Sequence, residues 1–366
     1  RWSPRPAACP RLGPDLFAPM SRAWRISAQG QVKPPSEQGG WTSDFENAAD
    51  QWQRGCPSAR TSGSTGAPVE HRFTVESVRA SAASTAAHFL LDGPHRGEVF
   101  AWSALPAAGT GGRMMVWRAL ALGWDLTVTK PALALEVPVA PSTDGRYHFA
   151  VATPLQADHL MAPGPLHRFA LRMLGGAPLS PDLESALEQA AAAADCRIFH
   201  GFGMTETLTH VATRPLGTLA YTALPGVEAR ATETGALVLD VPLRGVKGLV
   251  TRDAVRLHFG DAHTPDSDEA ARQFYWLGRM DDVINSAGLK FHPAALERRW
   301  SPLLSDVLNG RKWYVTGRPD DSLGDRVTLV VEGKPHPDLA TAVLEVLKDE
   351  GHARPRSVEF QDVFEE

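Results

Sequence analysis

Cysteine is scarce in this chain, which contains only Cys9, Cys56 and Cys196. An odd number of widely separated cysteines predicts neither a disulfide framework nor the paired spacing of a zinc site. No apolar run approaches the ~18 residues of a membrane-spanning helix, and the first residues lack the apolar core of a signal peptide. These absences predict a cytoplasmic protein without a membrane span.

A strong charge of either sign is also missing. Lys and Arg total 37 and Asp and Glu total 42, which gives a formal net charge of −5. This balance argues against a protein that binds nucleic acid or membranes mainly through charge. At 366 residues and 43% hydrophobic content, the chain is long enough for two domains and a sizeable core. It begins with Arg1 and not Met, so we expect a fragment at the N-terminus.

Short apolar runs alternate with helical patterns after Thr74, which can cap a helix beginning at Val75. Ser180 and Pro181 mark the start of a further helix. Such alternation is typical of an α/β domain with a largely parallel sheet. The predicted strands are Val99–Leu105, Asp125–Thr129, His148–Thr153, Phe169–Leu174 and Arg197–His200, and the predicted helices include Met114–Leu122 and Pro181–Ala194.

Beyond Gly278 the pattern changes to that of a small α+β domain. Its predicted elements include a strand at Arg326–Glu332, a helix at Asp338–Asp349 and a last strand at Ser357–Gln361. We therefore predict a large domain over residues 1–280, with an irregular lead-in over residues 1–55 whose tryptophans pack on it. The small domain is predicted over residues 281–366.

A loop rich in Gly, Ser and Thr lies between Arg60 and Glu70. Glycine permits close approach to a polyanion, and backbone N–H groups and hydroxyls can then surround phosphate oxygens. The loop lacks the Lys-Ser/Thr ending of a Walker A motif, because Ala67 and Pro68 follow Gly66. A flexible loop of the same composition is the alternative interpretation.

Two further segments combine residues suited to nucleotide chemistry. In the run from Phe199 to Thr207, Glu206 could bind Mg²⁺ through oxygen, Thr205 could contact phosphate, and Phe202 could stack on a base. A glycine-containing turn that ends in a helix cap would also explain this run. Asp253 follows a predicted apolar strand, as a ribose-binding carboxylate would, and the unusual run Gly278–Lys290 comes after it.

In this order, Thr61–Pro68, Gly203–Glu206, Asp253 and Gly278–Lys290 resemble the adenylate-forming (AMP-binding) superfamily of acyl-CoA synthetases, luciferases and adenylation domains. The resemblance implies a large α/β domain with mixed or parallel sheets and a small mobile α+β domain. It also implies an enzyme that forms an acyl-adenylate from ATP and an acid and then transfers the acyl group to CoA. ATP, Mg²⁺ and CoA are the implied cofactors and co-substrates.

The resemblance implies a role for each matching residue. Thr205 and Glu206 would hold the α-phosphate and Mg²⁺, and Asp281 would be the hinge of the small domain. Gly288 and Lys290 would approach CoA. The pyrophosphate, adenine and ribose contacts would come from Thr61, Ser62, Gly63, Ser64, Thr65 and Gly66, from Gly176, Ala177 and Phe202, and from Asp253 and Arg279, respectively.

Further segments narrow the resemblance: Leu105–Pro106, Gly112–Ala119, Thr153–Gln156, Gly175–Leu179, Thr209–Ala212 and Ile284–Ser286. With these segments the chain resembles short-form o-succinylbenzoate–CoA ligases of menaquinone biosynthesis. A substrate with two carboxylates, of which one is activated, needs a cation for the other. We predict Arg118 in this role, with Arg113 as a second candidate and with Thr153 and Gln156 as further substrate contacts. Arginines on an exposed helix face are the alternative interpretation.

The chain departs from the family pattern at three places. Val69 replaces the lysine that usually ends the phosphate loop, although His71 or Arg72 could partly substitute. Gly109 replaces an aromatic or His gate, which predicts a wider entrance. The family's lysine-bearing C-terminal segment would begin about where the chain stops, so we expect slow adenylation with the thioester half-reaction retained.

Two other functions remain open from the sequence. The first is a CoA ligase for another aryl or aliphatic acid. The second is an inactive nucleotide-binding relic that acts as an interaction partner. The expected partners are small molecules, namely a carboxylic acid, ATP and CoA. The oligomeric state is left open, with a dimer as one option.

Overall fold

The computed structural model describes residues 24–27, 30–33, 40–61, 68–91, 98–133, 135–159, 166–258 and 272–364. Its strands form a 13-stranded sheet, a 5-stranded sheet and a two-stranded hairpin. Within the described ranges, no helix has both the length and the apolar character needed to cross a bilayer. The exposed Cys56 and the buried Cys196 are not bridged.

The segment before the glycine-rich loop is more regular than expected. Two short strands, β1 (Trp24–Ile26) and β2 (Val32–Lys33), precede helix α1 (Gly40–Gln53). The expectation of an irregular lead-in is therefore wrong for this helix. Phe45 and Ala48 are buried in the main core, and Trp41 and Trp52 pack against it as predicted. These residues recur at helical spacing, a pattern that the Pro- and Gly-rich flanks concealed.

Strands β3 (Ser58–Arg60) and β4 (Glu70–Arg72) pair as an antiparallel hairpin and bring together the two ends of the glycine-rich loop. Helix α2 (Val75–His88) then begins at the predicted cap. Thr74 Oγ1 accepts from the Ser77 backbone N–H at 3.1 Å, and Ser77 Oγ accepts from the Thr74 N–H at 3.1 Å. This reciprocal pair satisfies N–H groups that have no partner within the helix.

Replacing Thr74 by Ala is expected to lower the free energy of unfolding by about 1 kcal/mol, because the Ser77 N–H loses its acceptor. Chemical denaturation of the variant and the wild type measures this difference. Thr74→Ser is the matched control, since it keeps the hydroxyl. An identical denaturation midpoint for Thr74→Ala and Thr74→Ser would show that the cap contributes nothing.

The predicted α/β alternation is confirmed between Phe100 and Met204. The parallel strands lie in the order β6, β5, β7, β8 and β9 within the large sheet. The elements of this part are β5 (Phe100–Ser103), α3 (Thr110–Leu122), β6 (Asp125–Val128), β7 (Phe149–Ala152), α4 (Pro154–His159), β8 (Leu171–Leu174), α5 (Pro181–Ala193) and β9 (Arg197–Met204).

Helix α3 begins four residues earlier than predicted, at Thr110 instead of Met114. Glycines at 111 and 112 disfavour a helix on propensity alone. At Gly112, however, a Cβ atom would lie only 2.4 Å from the carbonyl oxygen of Pro106. The first turn of α3 therefore lies directly against the Leu105–Ala107 loop, and tertiary packing outweighs propensity there.

Antiparallel strands extend the same sheet, so it is mixed, as the family resemblance implied. They are β10 (Thr209–Pro215), β11 (Ala220–Ala223), β12 (Glu228–Ala231), β13 (Ala236–Val241), β14 (Val246–Leu257) and β15 (Gln273–Arg279). Asp253, expected just after a strand, lies inside β14. The strand continues through Asp253, with a register shift between Ala254 and Val255, so that three consecutive buried residues lie between the exposed Arg252 and Arg256.

The remaining elements form the second sheet with two helices. Trp300, Leu304, Leu329 and Val343 are fully buried in a core drawn entirely from residues after Val283. A separate core agrees with the predicted small domain, and the boundary at residues 280 and 281 stays a prediction. The elements are β16 (Ile284–Ser286), β17 (Leu289–Phe291), α6 (Pro293–Leu308), β18 (Trp313–Asp320), β19 (Gly324–Glu332), α7 (Pro337–Val346) and β20 (Ser357–Gln361).

Candidate active site

Two cavities lie at the carboxyl ends of the parallel strands, the edge at which open α/β sheets bind ligands. The central cavity has a volume of about 950 Å³ and is bordered by Thr153, Thr205 and Arg118. The adjoining cavity has a volume of about 790 Å³ and is bordered by Ala177, Phe202 and Asp253. Both cavities are bordered by Gly176, Gly201, Gly203 and Arg279.

Thr205 and Glu206 border the central cavity at the end of β9. They lie in a short 3-10 helix, Thr205–Thr207, which β9 enters through Gly203. A Cβ atom at Gly203 would lie 2.0 Å from the Thr209 carbonyl oxygen, so only glycine fits this close approach of β9 and β10. Thr205 Oγ1 bonds Thr110 Oγ1 at 2.8 Å, and Glu206 Oε1 lies 3.9 Å from His71 Nε2.

The predicted phosphate loop is described only at its ends. Thr61 accepts the Val69 N–H on its hydroxyl at 3.0 Å and donates its own N–H to the Val69 carbonyl at 3.0 Å. The predicted contacts Ser62, Gly63, Ser64, Thr65 and Gly66 lie outside the described residues. Thr61 itself borders the central cavity, and so does Arg60, which sequence reasoning missed.

Val69 is 56% exposed at the position where a lysine is usual. Of the two side chains that could replace that lysine, His71 is the one near Glu206. Arg72 is exposed and pairs with Glu70 at 3.5 Å. Gly109 also borders the central cavity, as the N-cap of α3, and carries no side chain there.

Arg118 is 1% exposed and borders the central cavity, contrary to the interpretation as an exposed helix arginine. Its contacts are weak: one Nη reaches Met115 Sδ at 3.3 Å, the other reaches Thr209 Oγ1 at 3.5 Å, and Nε has no partner among the described residues. Burial, together with the positive charge of Arg244, lowers the pKa of Arg118 to about 9. A buried guanidinium that pairs with no carboxylate of the described ranges is suited to binding an anionic ligand.

Arg113 lies on the same helix but faces α1. Its guanidinium donates to Asn47 Oδ1 at 3.0 Å and to Gln51 Oε1 at 2.9 Å. Burial lowers its pKa, while the carboxylate of Asp44 acts in the opposite direction. The structure therefore brings Arg118 to the central cavity and places Arg113 in a helix–helix contact.

Thr153 and Gln156 stabilise the turn after β7. The Gln156 amide donates to the carbonyls of Ala104 at 3.1 Å and Ala132 at 3.3 Å, and its oxygen accepts the Thr153 N–H. Thr153 borders the central cavity, whereas the polar atoms of Gln156 are occupied by backbone groups. The geometry places Gln156 behind the cavity wall, where it holds the loops together.

Asp253 and Arg279 face each other across β14 and β15. The Asp253 carboxylate is 4% exposed, accepts from Trp276 Nε1 at 3.0 Å and lies 3.5 Å from the Arg279 guanidinium. Asp281 follows in a short turn, Met280–Asp282, and pairs with Arg252 at 3.3 Å and with Arg279 at 3.9 Å. The predicted ribose contacts and the predicted hinge residue are therefore linked by Arg279.

Gly176, Ala177 and Phe202 all border the adjoining cavity, as expected of adenine contacts. Gly176 has φ of +92° and open space at its Cβ position, a conformation that glycine adopts freely. Phe202 packs edge-on against Tyr221 and Phe274 with centroids 5.8 and 5.6 Å apart. Its ring is thus fixed by other aromatic side chains.

Gly288 and Lys290 lie in the β16–β17 hairpin and border neither cavity. Gly288 has φ of +78° in the turn, next to Ala287 with φ of +51°. Lys290 is exposed on β17. Their predicted approach to CoA stays a prediction.

The model of one protein family, the AMP-binding enzymes, matches residues 60–248. That match covers more than half of the chain and contains the glycine-rich loop, Thr205 and Glu206. The chain belongs to the AMP-binding enzyme family. The predicted superfamily is thereby confirmed, whereas no curated protein sequence matches significantly.

Solved structures agree with this AMP-binding fold. An acyl-CoA synthetase (AMP-forming)/AMP-acid ligase II-like protein from Dyadobacter fermentans is 26% identical with a TM-score of 0.59, covering 94% of this chain and 95% of that one. MenE, the o-succinylbenzoate coenzyme A synthetase of Bacillus subtilis, solved with ATP and magnesium, is 19% identical with a TM-score of 0.61 over 84% of this chain. ATP-bound MatB from Rhodopseudomonas palustris is 19% identical with a TM-score of 0.62 over 84% of this chain. This chain covers 66% of the MenE chain and 64% of the MatB chain.

The residues of this AMP-binding enzyme fit a magnesium ion held partly by substrate. The described ranges contain no group of three His, Cys, Asp or Glu side chains that could bind a metal by themselves. Mg²⁺ needs no such group in nucleotide sites, where one or two carboxylates, phosphate oxygens and water are its usual ligands. Glu206 would supply that carboxylate beside the Thr205 hydroxyl, and the cavity of about 950 Å³ has room for phosphates.

The sequence did not identify Arg244 or His210, two buried residues whose charges interact with that of Arg118. Arg244 donates to the carbonyls of Thr207 at 2.8 Å and His210 at 3.0 Å and so fixes the backbone after Glu206. Burial lowers the pKa of Arg244 to about 10. His210 borders the central cavity, and burial, then the charge of Arg118, holds its pKa well below the usual range. In the sequence, only the position of His210 within the family-like segment Thr209–Ala212 indicates a role.

Proposed function

We propose that this protein is an AMP-forming acid–CoA ligase whose substrate carries a second carboxylate, with o-succinylbenzoate as the first candidate. The observation that carries the proposal is Arg118, buried and without a carboxylate partner among the described residues, in the same cavity as Thr205 and Glu206. A guanidinium in this setting binds a carboxylate with two parallel hydrogen bonds. The substrate would thus be anchored at one end and activated at the other.

In the proposed first step, an oxygen of the reacting carboxylate attacks the α-phosphorus of ATP. The bond to the pyrophosphate leaving group breaks, which gives an acyl-adenylate and pyrophosphate. Thr205 donates to a phosphate oxygen, and Asp253 and Arg279 hold the ribose. Glu206 would hold a magnesium ion, which neutralises charge on the transferring group. Positioning and electrostatics therefore supply most of the catalysis.

In the proposed second step, the CoA thiolate attacks the acyl carbon and AMP leaves with the electron pair of the broken C–O bond. The small domain would turn at Asp281 between the two steps and bring Gly288 and Lys290 towards CoA. Arg252 and Arg279 both contact Asp281, so rotation at this residue would exchange those ion pairs. With o-succinylbenzoate as substrate, the reaction would belong to menaquinone biosynthesis.

AMP release with ATP, Mg²⁺ and CoA tests the proposal directly. We expect release with o-succinylbenzoate and much less with benzoate, which lacks the second carboxylate. Equal release with both acids would leave a CoA ligase but remove the dicarboxylate requirement. ATP binding without AMP release from any acid in a panel would instead support the inactive relic.

A further inference from the structure

A network of buried polar side chains extends from α5 to the wall of the adjoining cavity. Glu184 on α5 forms a bidentate ion pair with Arg214 on β10, with one N–O distance of 2.7 Å. The Arg214 guanidinium lies 5.5 Å from the ring centroid of Tyr221 on β11. Tyr221 Oη lies 2.5 Å from His200 Nδ1, and His200 Nε2 lies 3.0 Å from the Ala177 carbonyl oxygen.

The partners of His200 determine which nitrogen carries its proton. The Ala177 carbonyl can only accept, so Nε2 must donate to it. Burial, the largest influence, lowers the pKa of His200 to about 4, although the hydrogen bond to Ala177 acts in the opposite direction. The ring is therefore neutral near pH 7, and its bare Nδ1 accepts the Tyr221 hydroxyl proton.

At the α5 end of this network, the side chains of Arg214 and Glu184 are also held in place. Arg214 is 3% exposed and also donates to the Thr218 carbonyl at 2.7 Å. Burial opposes ionisation of Glu184, but the hydrogen bond and charge of Arg214 outweigh it and lower the pKa of Glu184. Tyr221 stacks on Phe274 with centroids 5.6 Å apart. The contacts of each side chain in the network thus fix its orientation. The network ends at the Ala177 carbonyl, which His200 holds in place.

We propose that His200 and Tyr221 are positioning residues that fix the Ala177 carbonyl at the cavity wall so that it accepts the exocyclic amine of the bound base. A carbonyl oxygen has two lone pairs, and His200 uses one. The remaining lone pair favours a 6-aminopurine and disfavours a 6-oxopurine, whose oxygen would face it. This inference rests on the proposed function, because it assigns the base of ATP to the adjoining cavity.

Calorimetric titration of the full chain with Mg-ATP and with Mg-ITP tests the inference. The wild type should bind ATP at least about tenfold more tightly than ITP, and Tyr221→Phe and His200→Leu should each weaken ATP binding by about tenfold. The ATP-to-ITP ratio should shrink in both variants, whereas a general loss of structure would weaken both nucleotides alike. The KM for the acid should stay within about threefold of the wild-type value.

Two further variants serve as matched controls. His200→Gln keeps a side-chain donor for the Ala177 carbonyl and should retain more ATP affinity than His200→Leu. Tyr275→Phe removes the hydroxyl from a second His–Tyr pair, in which His258 Nδ1 lies 3.1 Å from Tyr275 Oη, and neither residue borders the two cavities. It should bind both nucleotides like the wild type.

The outcomes separate this inference from the proposed function. Wild-type affinity and an unchanged ATP-to-ITP ratio in Tyr221→Phe would overturn the positioning role while leaving a nucleotide-binding ligase. A wild type that binds neither nucleotide would overturn the proposed function and the inference with it. Should His200→Leu not fold, Tyr221→Phe decides, since it loses one oxygen and keeps the ring packed on Phe274.

Discussion

Replacing Glu206 by Gln is expected to lower the rate of AMP formation by about 10²–10³-fold, the usual cost of losing one group that stabilises transition-state charge. Glutamine keeps the size of the side chain and removes the charge that would bind Mg²⁺. Glu206 borders the central cavity beside Thr205, and His71 is the nearest ion-pair partner at 3.9 Å. The rate is measured as AMP release with o-succinylbenzoate, ATP, CoA and a range of Mg²⁺ concentrations.

The Mg²⁺ dependence distinguishes a metal ligand from a structural residue. If Glu206 binds the ion, Glu206→Gln should need more Mg²⁺ for half-maximal rate as well as losing maximal rate. Glu233→Gln is the matched control, because it removes a carboxylate from an exposed turn between β12 and β13. A rate for Glu206→Gln within threefold of the wild type, at every Mg²⁺ concentration, would contradict a role for this carboxylate in the reaction.

The elements that were predicted well are those whose signals are local. Helix α2 begins at Val75 because Thr74 and Ser77 form its N-terminal cap. Helix α5 begins at Pro181 because Ser180 caps it and proline suits the first helical position. The short strands of the parallel region follow apolar runs buried on both faces. By contrast, α1 and the first turn of α3 form through packing against distant segments, which composition does not report.

In the candidate site, too, some residues could be predicted from local sequence motifs and others could not. Residues in ordered motifs, such as Thr205, Glu206 and Arg279, could be named from the sequence, and the structure places all three at the central cavity. The sequence ranks Arg118 above Arg113, but both lie on one helix and only the tertiary structure shows which face meets α1. Arg244 and His200 act through contacts with residues far away in the sequence, and no local pattern distinguishes them from ordinary buried residues. Arg60 borders the central cavity, but the sequence around it gives no sign of this.

Replacing Arg118 by Met is expected to raise the stability of the ligand-free protein while removing the activity on a dicarboxylate. Removing one partner of a buried charge pair typically costs about 2–5 kcal/mol, or roughly 30- to 4,000-fold in kcat/KM for o-succinylbenzoate. A monocarboxylate makes no such pair, so its kcat/KM should change by less than about tenfold. AMP release measured with both acids gives the two ratios.

The stability gain follows from the electrostatic surroundings of Arg118. Arg118 is 1% exposed, its contacts are to a sulfur and a hydroxyl, and the nearby charge of Arg244 is repulsive. A methionine of similar volume can pack against Phe149, whose ring centroid now lies 5.7 Å from the guanidinium carbon. Replacing even a buried ion pair by well-packed apolar side chains is often neutral or stabilising by about 1–4 kcal/mol, and a buried charge that lacks a partner has less to lose.

The pH dependence of the free energy of unfolding provides a second test. Burial and Arg244 lower the folded-state pKa of Arg118 to about 9, so its charge opposes folding at all pH values below that. The cost is relieved only as pH rises through the folded pKa, and the advantage of Arg118→Met should therefore be constant between pH 6 and 8. In the wild type a bound dicarboxylate should recover the cost and raise the melting temperature more than it does in the variant.

Arg113→Met provides the contrast on the same helix. Its guanidinium donates to Asn47 and Gln51 of α1, so its loss should lower stability and leave the ratio of activities on the two acids nearly unchanged. If Arg118→Met instead destabilised the protein and reduced both acids equally, Arg118 would be a structural residue. If Arg113→Met alone removed dicarboxylate activity, the anchor would lie on the α1 side of the helix and the proposed substrate orientation would be wrong.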